Sequence, residues 1–306
     1  MNETHTEPLT VWRFIRRCFV RIVIGAVLMA AVYAAVLVWM PYQREQRIVK
    51  EIEACRGKVN WQYFSPDWIP QSMRERTTLF NRVTCLHLDN TQVTDTELEH
   101  LKGLPNLTAL DLRRTKVTDA GLEHLKGLTN LDTLDISNTK VTDAGLEHLN
   151  GLTNLEALFL RRTQVTDAGL EHLKGLTSLT HLYLNNTQVT NAGLKHLRGL
   201  TNLKELDLVG TQVTDAGLEH LKGLTNLVSL GLLGTQVTDA GLEHLKGLTN
   251  LDWLDLNGMQ ITDAGLEHLK GLTNLTYLNL NETRSTAAGR AMLWKALPNC
   301  KINPNP

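Results

Sequence analysis

The fold is decided by the stretch at residues 108–131, which reads TALDLRRTKVTDAGLEHLKGLTNL and recurs with a fixed period. Nine segments of 24 residues follow this template, and no insertion shifts their register. They begin at residues 84, 108, 132, 156, 180, 204, 228, 252 and 276. Self-similarity of this kind is typical of a solenoid, in which each repeat packs only against its neighbours. We therefore predict one repeat domain over residues 84–299, whose ninth repeat is a degenerate cap.

Each repeat is expected to begin with a short strand and to continue into a short helix. Leu110 and Leu112 alternate with polar neighbours, and a period of two indicates a strand with one buried face. Thr118 and Asp119 follow, and their side-chain oxygens are expected to accept hydrogen bonds from the free N–H groups at the start of the helix. The repeat is therefore predicted to be an α/β unit.

The predicted helix has about eight residues, which is too few for a helix that is stable alone. Ala120, Leu122 and Leu125 are expected to point inward, and Gly127 is expected to end the helix in a left-handed conformation. A single repeat buries too few apolar side chains to offset the entropy of ordering its chain, so folding requires stacking. The stack is predicted to be a horseshoe with a parallel sheet on its concave face and helices on its convex face.

The spacing of Leu107, Leu110, Leu112 and Thr115 resembles the leucine-rich repeat. Residues 117–122, Val-Thr-Asp-Ala-Gly-Leu, are similar to the subtype shared by ribonuclease-inhibitor-like folds, F-box-associated repeats and many bacterial repeat proteins. The resemblance covers residues 84–299 and implies an α/β leucine-rich repeat solenoid. The near-identical repeats favour a bacterial source. A resemblance in fold does not by itself identify a ligand.

The residue that ends the strand segment departs from the family pattern. The family usually has asparagine there, whose amide bonds to neighbouring backbone, whereas this chain has Thr115 and its equivalents. A threonine hydroxyl can also bond to backbone groups, so we expect it to replace the amide. Met259 occupies the position once. Because its side chain cannot form this bond, we predict a local defect or a bound water there.

The outward positions of the strand segments vary, whereas the helix segments are nearly copied from repeat to repeat. Drift alone could vary positions that the fold constrains least. The alternative is a recognition surface, which is favoured because aromatic and arginine side chains are enriched in binding hot spots. We interpret the concave face as the binding site for a protein or peptide. Its candidate residues are Arg113, Arg114, Phe159, Arg161, Arg162, Tyr183, Trp253 and Tyr277.

Residues 22–40, from Ile22 to Met40, contain no charged side chain and are long enough to cross a bilayer as a helix. The alternative is a cleaved signal peptide, whose apolar core is usually shorter and precedes a small-residue cleavage site. We predict an uncleaved single-pass anchor. Four preceding arginines favour a cytoplasmic N-terminus and a repeat domain outside the cytoplasm, although basic residues also follow the span. The four are Arg13, Arg16, Arg17 and Arg21.

The remaining segments complete the predicted domain organisation. Residues 1–21 are expected to form a short basic tail, and residues 300–306 a C-terminal tail. Residues 41–83 are expected to form a juxtamembrane helix followed by an aromatic cap over the first repeat. A binding site made of the aromatic side chains is the other interpretation of this segment. Those side chains are Trp61, Tyr63, Phe64 and Trp68.

Two ladders of ionisable residues suggest metal binding, but simpler interpretations account for both. The histidines from His100 to His268 recur on the exposed helix surface between Glu and Lys, without convergent ligands for zinc. The aspartates from Asp95 to Asp263 are explained by helix capping rather than by calcium. We therefore expect no metal and no cofactor.

The sequence shows no motif for catalysis or for nucleic-acid binding. It contains no glycine-rich phosphate loop and no arrangement of a nucleophile with a base, so we do not expect an enzyme. The 31 basic and 32 acidic side chains leave a formal net charge of −1, which gives no indication of a nucleic-acid partner. The cysteines lack zinc spacing, and a bridge between Cys55 and Cys85 is left open.

These observations predict a membrane-anchored leucine-rich repeat protein that acts as a binding or scaffold module. The alternative is a substrate adaptor of a ubiquitin ligase, because F-box proteins carry similar repeats. Such an adaptor would need an F-box helical segment before the repeats, and residues 43–83 are too short and show none.

Overall fold

A computed structural model describes residues 8–34, 36, 39–63 and 81–305 of the 306-residue chain. It divides into two compact units, one of residues 1–47 with 62–82 and one of residues 48–61 with 83–306. The first unit contains helix α1, Pro8–Ala34. Among the described residues, no helix combines the length and the apolar character that crossing a membrane requires. Phe64 and Trp68 of the predicted aromatic cap lie outside the described residues.

The second unit contains most of an eleven-stranded sheet whose strands follow one another in chain order, and the strands from residue 81 onward pair in parallel. Each strand from residue 109 onward pairs with the strand 24 residues before it, so that Leu110 lies in register between Leu86 and Leu134. The strands are β1 Lys58–Tyr63, β2 Asn81–His87, β3 Ala109–Asp111, β4 Thr133–Asp135, β5 Ala157–Phe159, β6 His181–Tyr183, β7 Glu205–Asp207, β8 Ser229–Gly231, β9 Trp253–Asp255, β10 Tyr277–Asn279 and β11 Lys301–Asn303.

Short helices connect successive strands. After α2, Met40–Ala54, they are α3 Asp95–Leu98, α4 Asp119–Leu122, α5 Asp143–Glu147, α6 Asp167–Glu171, α7 Asn191–Leu194, α8 Asp215–Leu218, α9 Asp239–Leu242, α10 Asp263–Glu267 and α11 Ala287–Ala296. Several continue into a 3₁₀ turn, such as Glu123–Leu125 after α4. The α-helical part is therefore shorter than the predicted eight residues, because the chain tightens into the 3₁₀ turn before it returns to the sheet.

Two expectations about the inner face of the helices are wrong. Ala120 is exposed, and the buried residue beside Leu122 is Gly121. Gly127 does not adopt a positive φ, and the 3₁₀ turn ends the helical segment instead. Close approach of the preceding coil explains the first difference, because a Cβ atom at Gly121 would lie 2.4 Å from Asp95 Oδ1.

The core contains one continuous stack of leucine and valine side chains between the strands and the helices. Buried threonines at the ends of the strand segments, from Thr91 to Thr211, border it, and each donates its hydroxyl to the carbonyl three residues earlier. Thr115 Oγ1 lies 2.7 Å from Leu112 O, and Thr163 Oγ1 lies 2.7 Å from Leu160 O. The hydroxyl therefore forms a backbone bond at the position where the family usually has asparagine.

Met259 causes no break in the backbone of its coil. Its side chain is buried in the core, and its N–H donates to Leu256 O at 3.2 Å. The equivalent bond from Thr283 to Leu280 is 3.3 Å long. The local defect predicted from the sequence is absent from the backbone here, because the apolar side chain packs where a threonine would bond.

An aspartate ladder joins successive coils on the helix side. Asp119 at the start of α4 accepts two hydrogen bonds from Thr142 of the next coil, from its N–H and its hydroxyl, both at 2.7 Å. Asn191 replaces the aspartate once, with Oδ1 accepting from Thr214 N and Nδ2 donating to its hydroxyl. The aspartate therefore links neighbouring coils rather than capping its own helix, a role that the sequence did not indicate.

In the first coil, a residue of the same coil accepts the hydrogen bonds from the threonine N–H and hydroxyl. Among the described residues, no aspartate of an earlier segment bonds to Thr94, and Glu97 within the same coil accepts from its N–H at 2.8 Å and its hydroxyl at 2.7 Å. Glu97 occupies the position that is glycine in the following coils, where an aspartate carboxylate from the preceding coil leaves no room for a Cβ atom. In the irregular first repeat, Glu97 therefore accepts the two hydrogen bonds that an aspartate of the preceding coil accepts elsewhere.

Capping elements cover both ends of the repeat unit. Ile48, Val49 and Ile52 are buried in the core at its N-terminal end. At the other end, α11 buries Leu293, and Lys301–Asn303 form β11 against β10. Residues 301–303, which lie within the predicted C-terminal tail of residues 300–306, therefore add a strand to the sheet. The ladder of strand hydrogen bonds favours this addition because β10 would otherwise leave an unpaired edge.

Candidate functional site

The open face of the sheet is formed by the first and third residues of β3–β10, by Cys85 and His87 of β2, and by the residue two positions after each of these strands. The middle residue of each strand, such as Leu158 in β5, points into the core. The period-two geometry of a strand places its neighbours on the other side. Phe159, Tyr183, Trp253 and Tyr277 all lie on this face and are half-buried.

Phe159, Tyr183 and Arg161 form one aromatic cluster. Phe159 and Tyr183 pair directly in the sheet, and their rings stack with centroids 4.6 Å apart. The Arg161 guanidinium carbon lies 4.4 Å from the Tyr183 ring centroid and 5.8 Å from that of Phe159. Arg161 Nε also donates to Asn185 Oδ1 at 3.1 Å. Stacking and hydrogen bonding together hold the guanidinium over an aromatic surface.

Carboxylates lie immediately beyond this cluster. The Tyr183 hydroxyl donates to Glu205 Oε2, and His181 Nε2 lies 3.6 Å from Glu205 Oε1. Partial burial raises the pKa of Tyr183, and the hydrogen bond to Glu205 raises it further because it stabilises the protonated phenol. Asn185 Nδ2 donates to Asp207 in the same way. The tyrosine is therefore a neutral donor that orients the carboxylate of Glu205.

Arg113 is paired within its own part of the face. Its Nη2 lies 2.7 Å from Asp111 Oδ2, and its Nε lies 3.3 Å from Asp135 Oδ2. The hydrogen bond to Asp111 raises the pKa of Arg113, whereas burial raises the pKa of Asp135. Arg113, Arg114 and Arg161 line one cavity of about 250 Å³. Much of the charge of Arg113 is thus balanced by aspartates that the sequence interpretation had not weighed.

Arg114 and Arg162 follow their strands in the left-handed region, with φ values of 55° and 53°. Both side chains are exposed. The equivalent position is asparagine or glycine in most other coils, as at Asn138 and Gly210. Left-handed backbone is strained for residues other than glycine, and asparagine tolerates it better than arginine does. The arginines therefore stand where local backbone preference disfavours them.

Trp253 and Tyr277 form the second aromatic pair, nearer the C-terminal end of the sheet. They are neighbours in register between β9 and β10, and their rings stack with centroids 6.0 Å apart. Asn303 Nδ2 lies 3.3 Å from the Tyr277 hydroxyl oxygen. The predicted aromatic residues are therefore brought together as two separate pairs, which lie at different positions along the sheet.

The third strand residue is less free than its variability suggested. In five coils it is an aspartate or asparagine that accepts from the N–H two residues on, at 2.9–3.2 Å. Phe159, Tyr183 and Gly231 occupy the same position and cannot form this bond. The five that do are Asp111, Asp135, Asp207, Asp255 and Asn279. The aromatic residues have therefore replaced a side chain that stabilises the turn.

Glu205 and Asp207 are the residues of this face that the sequence interpretation missed. They pair in register with His181 and Tyr183 on one side and with Ser229 and Gly231 on the other. The available signal was their place in the same variable positions as the aromatic residues. It was passed over because hot-spot composition favours aromatic and arginine side chains over carboxylates.

The other chemical groups do not converge on a site. In the described part of the chain, no cluster of three or more His, Cys, Asp or Glu is arranged to hold a metal ion. Along the histidine ladder, burial lowers the pKa of His220, and nearby Arg198 lowers it further. Cys55 and Cys85 are free thiols rather than a bridge, and burial raises the pKa of Cys85.

The stacked 24-residue coils and their open parallel sheet define a solenoid repeat protein. The leucine-rich repeat family model matches residues 81–141, 129–189 and 153–213. Among solved structures, the chain is similar to internalin C2 from Listeria monocytogenes, at 34% sequence identity and a TM-score of 0.55, over 64% of this chain and 80% of that one. The chain belongs to the leucine-rich repeat family.

Two further solved structures show lower similarity. An internalin, inlF, from Listeria monocytogenes matches at 20% identity and a TM-score of 0.35, over 76% of this chain and 92% of that one. The plant peptide hormone receptor RGFR1 in complex with RGF2 matches at 19% identity and a TM-score of 0.46, over 67% of this chain and 33% of that one. No curated protein sequence matches the chain.

Proposed function

We propose that this chain is a binding module that recognises a protein or peptide through the open face of its sheet. The observation that carries the proposal is the cluster of Phe159, Arg161 and Tyr183. Both aromatic rings occupy positions where other coils have a turn-stabilising aspartate or asparagine, and they hold an arginine on an accessible surface. The few residues that dominate the binding energy of protein interfaces are enriched in tryptophan, tyrosine and arginine.

The two arginines in left-handed backbone support the same surface. Arg114 and Arg162 retain a strained conformation where asparagine or glycine would relieve it. Strain of this kind is concentrated at functional positions because the surrounding structure stabilises it there. The helix side of the unit offers no such features, since its sequence is nearly the same in every coil and serves the ladder between coils.

Site-specific photo-crosslinking in the native cell tests the proposal. We would place a photoreactive phenylalanine analogue at Phe159 or Trp253 on the open face, and at Lys174 or Lys246 on the helix side as matched controls. The expected result is one shared crosslinked protein or peptide from both sheet positions and none of it from the helix positions. Equal crosslinking from both sides, or none from the sheet, would overturn the proposal.

A charge variant makes the test quantitative. Arg161→Ala should remove most of the crosslink at Trp253, because it deletes the stacked guanidinium without touching the core. Lys174→Ala should leave the crosslink unchanged. Thermal unfolding of both variants would establish that the repeat unit is intact.

We also propose that residues 22–40 anchor the protein in a membrane, with the N-terminus in the cytoplasm and the repeats outside it. The support is the absence of charge in this segment and the large exposed fraction of apolar side chains such as Ile22 and Met29. The protein should resist carbonate extraction, and protease added to intact cells should remove the repeats. Release by carbonate would exclude the anchor, and repeats protected in intact cells would reverse the orientation.

A further inference from the structure

A cavity of about 390 Å³ opens on the sheet face between the two aromatic pairs. Tyr183 lines it on the N-terminal side and Trp253 on the C-terminal side, and Ser229 and Gly231 lie between them. Its volume falls within the range of about 300–1,000 Å³ that is typical of ligand pockets. The candidate aromatic residues therefore border a shared space, although they do not contact one another across it.

The cavity exists because β8 carries small side chains. Ser229 lies in register between Glu205 and Trp253, and Gly231 lies between Asp207 and Asp255. A Cβ atom at Gly231 would lie 2.7 Å from Asp207 Oδ1, so a larger residue would push this carboxylate away from its position. The seventh coil thus lacks the side chains that cover the sheet in neighbouring coils.

The polar lining of the cavity is acidic. Glu205, Asp207 and Asp252 all contribute to it. Glu205 accepts from the Tyr183 hydroxyl, and Asp207 accepts from Asn185 and from the N–H of Val209. These donors are neutral, so they orient the carboxylates without cancelling their charge.

Few basic side chains of the described chain pair with the acidic lining of this cavity. Within the described parts of the chain, no Lys or Arg side chain forms an ion pair with any of the three carboxylates. His181 is 3.6 Å from Glu205, but it carries a charge only when protonated. A positive group entering the cavity would therefore meet three carboxylates that form no ion pair with a described Lys or Arg, beside the rings of Tyr183 and Trp253. Carboxylates and aromatic rings are the groups that bind guanidinium and ammonium groups.

We propose that this cavity receives the lysine or arginine side chain of a bound peptide segment. The carboxylates provide the charge complement, and the faces or edges of Tyr183 and Trp253 pack against the aliphatic part and the cationic head. The proposal rests on the proposed binding function and specifies the chemistry of the partner. The segment that crosses this part of the sheet is basic, and its cationic side chain is the anchor.

Fluorine NMR of the full-length protein labelled with fluorotryptophan tests this inference. The probe is acetylarginine amide, and the neutral control is acetylcitrulline amide, which has nearly the same shape. The Trp253 resonance, assigned with Trp253→Phe, should shift saturably with the arginine probe and remain unmoved with the citrulline probe. The exposed Trp294 resonance on α11 should not move with either.

A double variant, Glu205→Gln with Asp207→Asn, should weaken binding of the arginine probe by at least about tenfold. It should keep the fold, because Asn279 forms the same turn bond as Asp207. The matched control, Glu219→Gln with Glu243→Gln on the helix side, should leave binding unchanged. Equal response to citrulline, or undiminished binding by the double variant, would overturn the inference.

The outcome is separable from that of the photo-crosslinking experiment. A partner crosslinked at Trp253, together with no response to the arginine probe, would leave the binding function standing and remove the basic anchor. A saturable response to the probe without any crosslinked partner would support the cation site in the cavity and would remove the proposed binding of a protein or peptide.

Discussion

Replacing Gly169 by alanine should destabilise the repeat unit, although alanine is the better helix former. Gly169 lies in α6, where a Cβ atom would meet Asp143 Oδ1 at 2.4 Å, Leu146 Cδ1 at 3.1 Å and Val165 Cγ1 at 3.1 Å. The same carboxylate accepts the N–H and the hydroxyl of Thr166 at 2.7 and 2.6 Å. The new methyl group can therefore be accommodated only if the link between the two coils shifts.

The magnitude follows from three contributions. Overpacking a filled site destabilises by about 1–3 kcal/mol. Weakening two hydrogen bonds to a charged acceptor adds about 1–3 kcal/mol at this half-exposed position. The higher helix propensity of alanine returns about 0.5–1 kcal/mol. We expect a net loss of about 1–5 kcal/mol, which corresponds to a fall of at least a few degrees in the unfolding midpoint of a unit of this size.

Thermal and urea unfolding, followed by circular dichroism on the full-length chain, measure this loss. Gly175→Ala is the matched control, since nothing lies within 4 Å of its Cβ position. It should be neutral or slightly stabilising. Removing the obstructing carboxylate with Asp143→Ala should make the further change Gly169→Ala much less harmful, so the two changes should couple by about 2 kcal/mol. Equal stability of the Gly169 and Gly175 variants, or additive effects in the double variant, would refute the interlocking of glycine and aspartate.

Two further predictions concern backbone strain and pH. Arg162→Asn should raise the free energy of unfolding by up to about 1 kcal/mol, and with it the unfolding midpoint, because asparagine tolerates the left-handed φ of 53° better. A lower midpoint would show that the arginine side chain stabilises the fold. The pKa of Glu97 is lowered, first by the Thr94 hydroxyl and then by its N–H, so Glu97 contributes stability above its unfolded pKa of about 4.3 that is lost as pH falls through the folded pKa. Urea unfolding should therefore show a larger deficit for Glu97→Gln at pH 7 than at pH 3, and a constant deficit would contradict the assigned bond.

The burial of residues whose positions follow from the pattern within one coil could be predicted from the sequence. Leu110 and Leu122 follow the periods of a strand and a helix, and both are fully buried. The fixed spacing of 24 residues also implied that equivalent leucines pack on one another, which the sheet register confirms. Membrane anchoring and the limits of the domains stay predictions.

The errors arise where two coils meet. Asp119 was predicted to cap its own helix because propensity rules consider only neighbours in the chain, whereas its partner Thr142 lies 23 residues further on. Ala120 was placed inside for the same reason. The helical period alone does not show that an aspartate of the preceding coil leaves no room for a Cβ atom at the inner position, which Gly121 therefore occupies. Gly127 follows a 3₁₀ turn that the sequence pattern does not distinguish from an α-helix.

The sequence by itself determined that identical coils must stack, because a single repeat cannot bury enough apolar surface and a fixed period allows only one register. It also placed Phe159, Tyr183, Trp253 and Tyr277 on the same side of the sheet. Only the tertiary structure decided that these residues form two pairs, that Arg161 lies over Tyr183, and that an acidic cavity separates the pairs. Those features depend on distances between side chains in different coils, and the order of residues along one strand does not specify them.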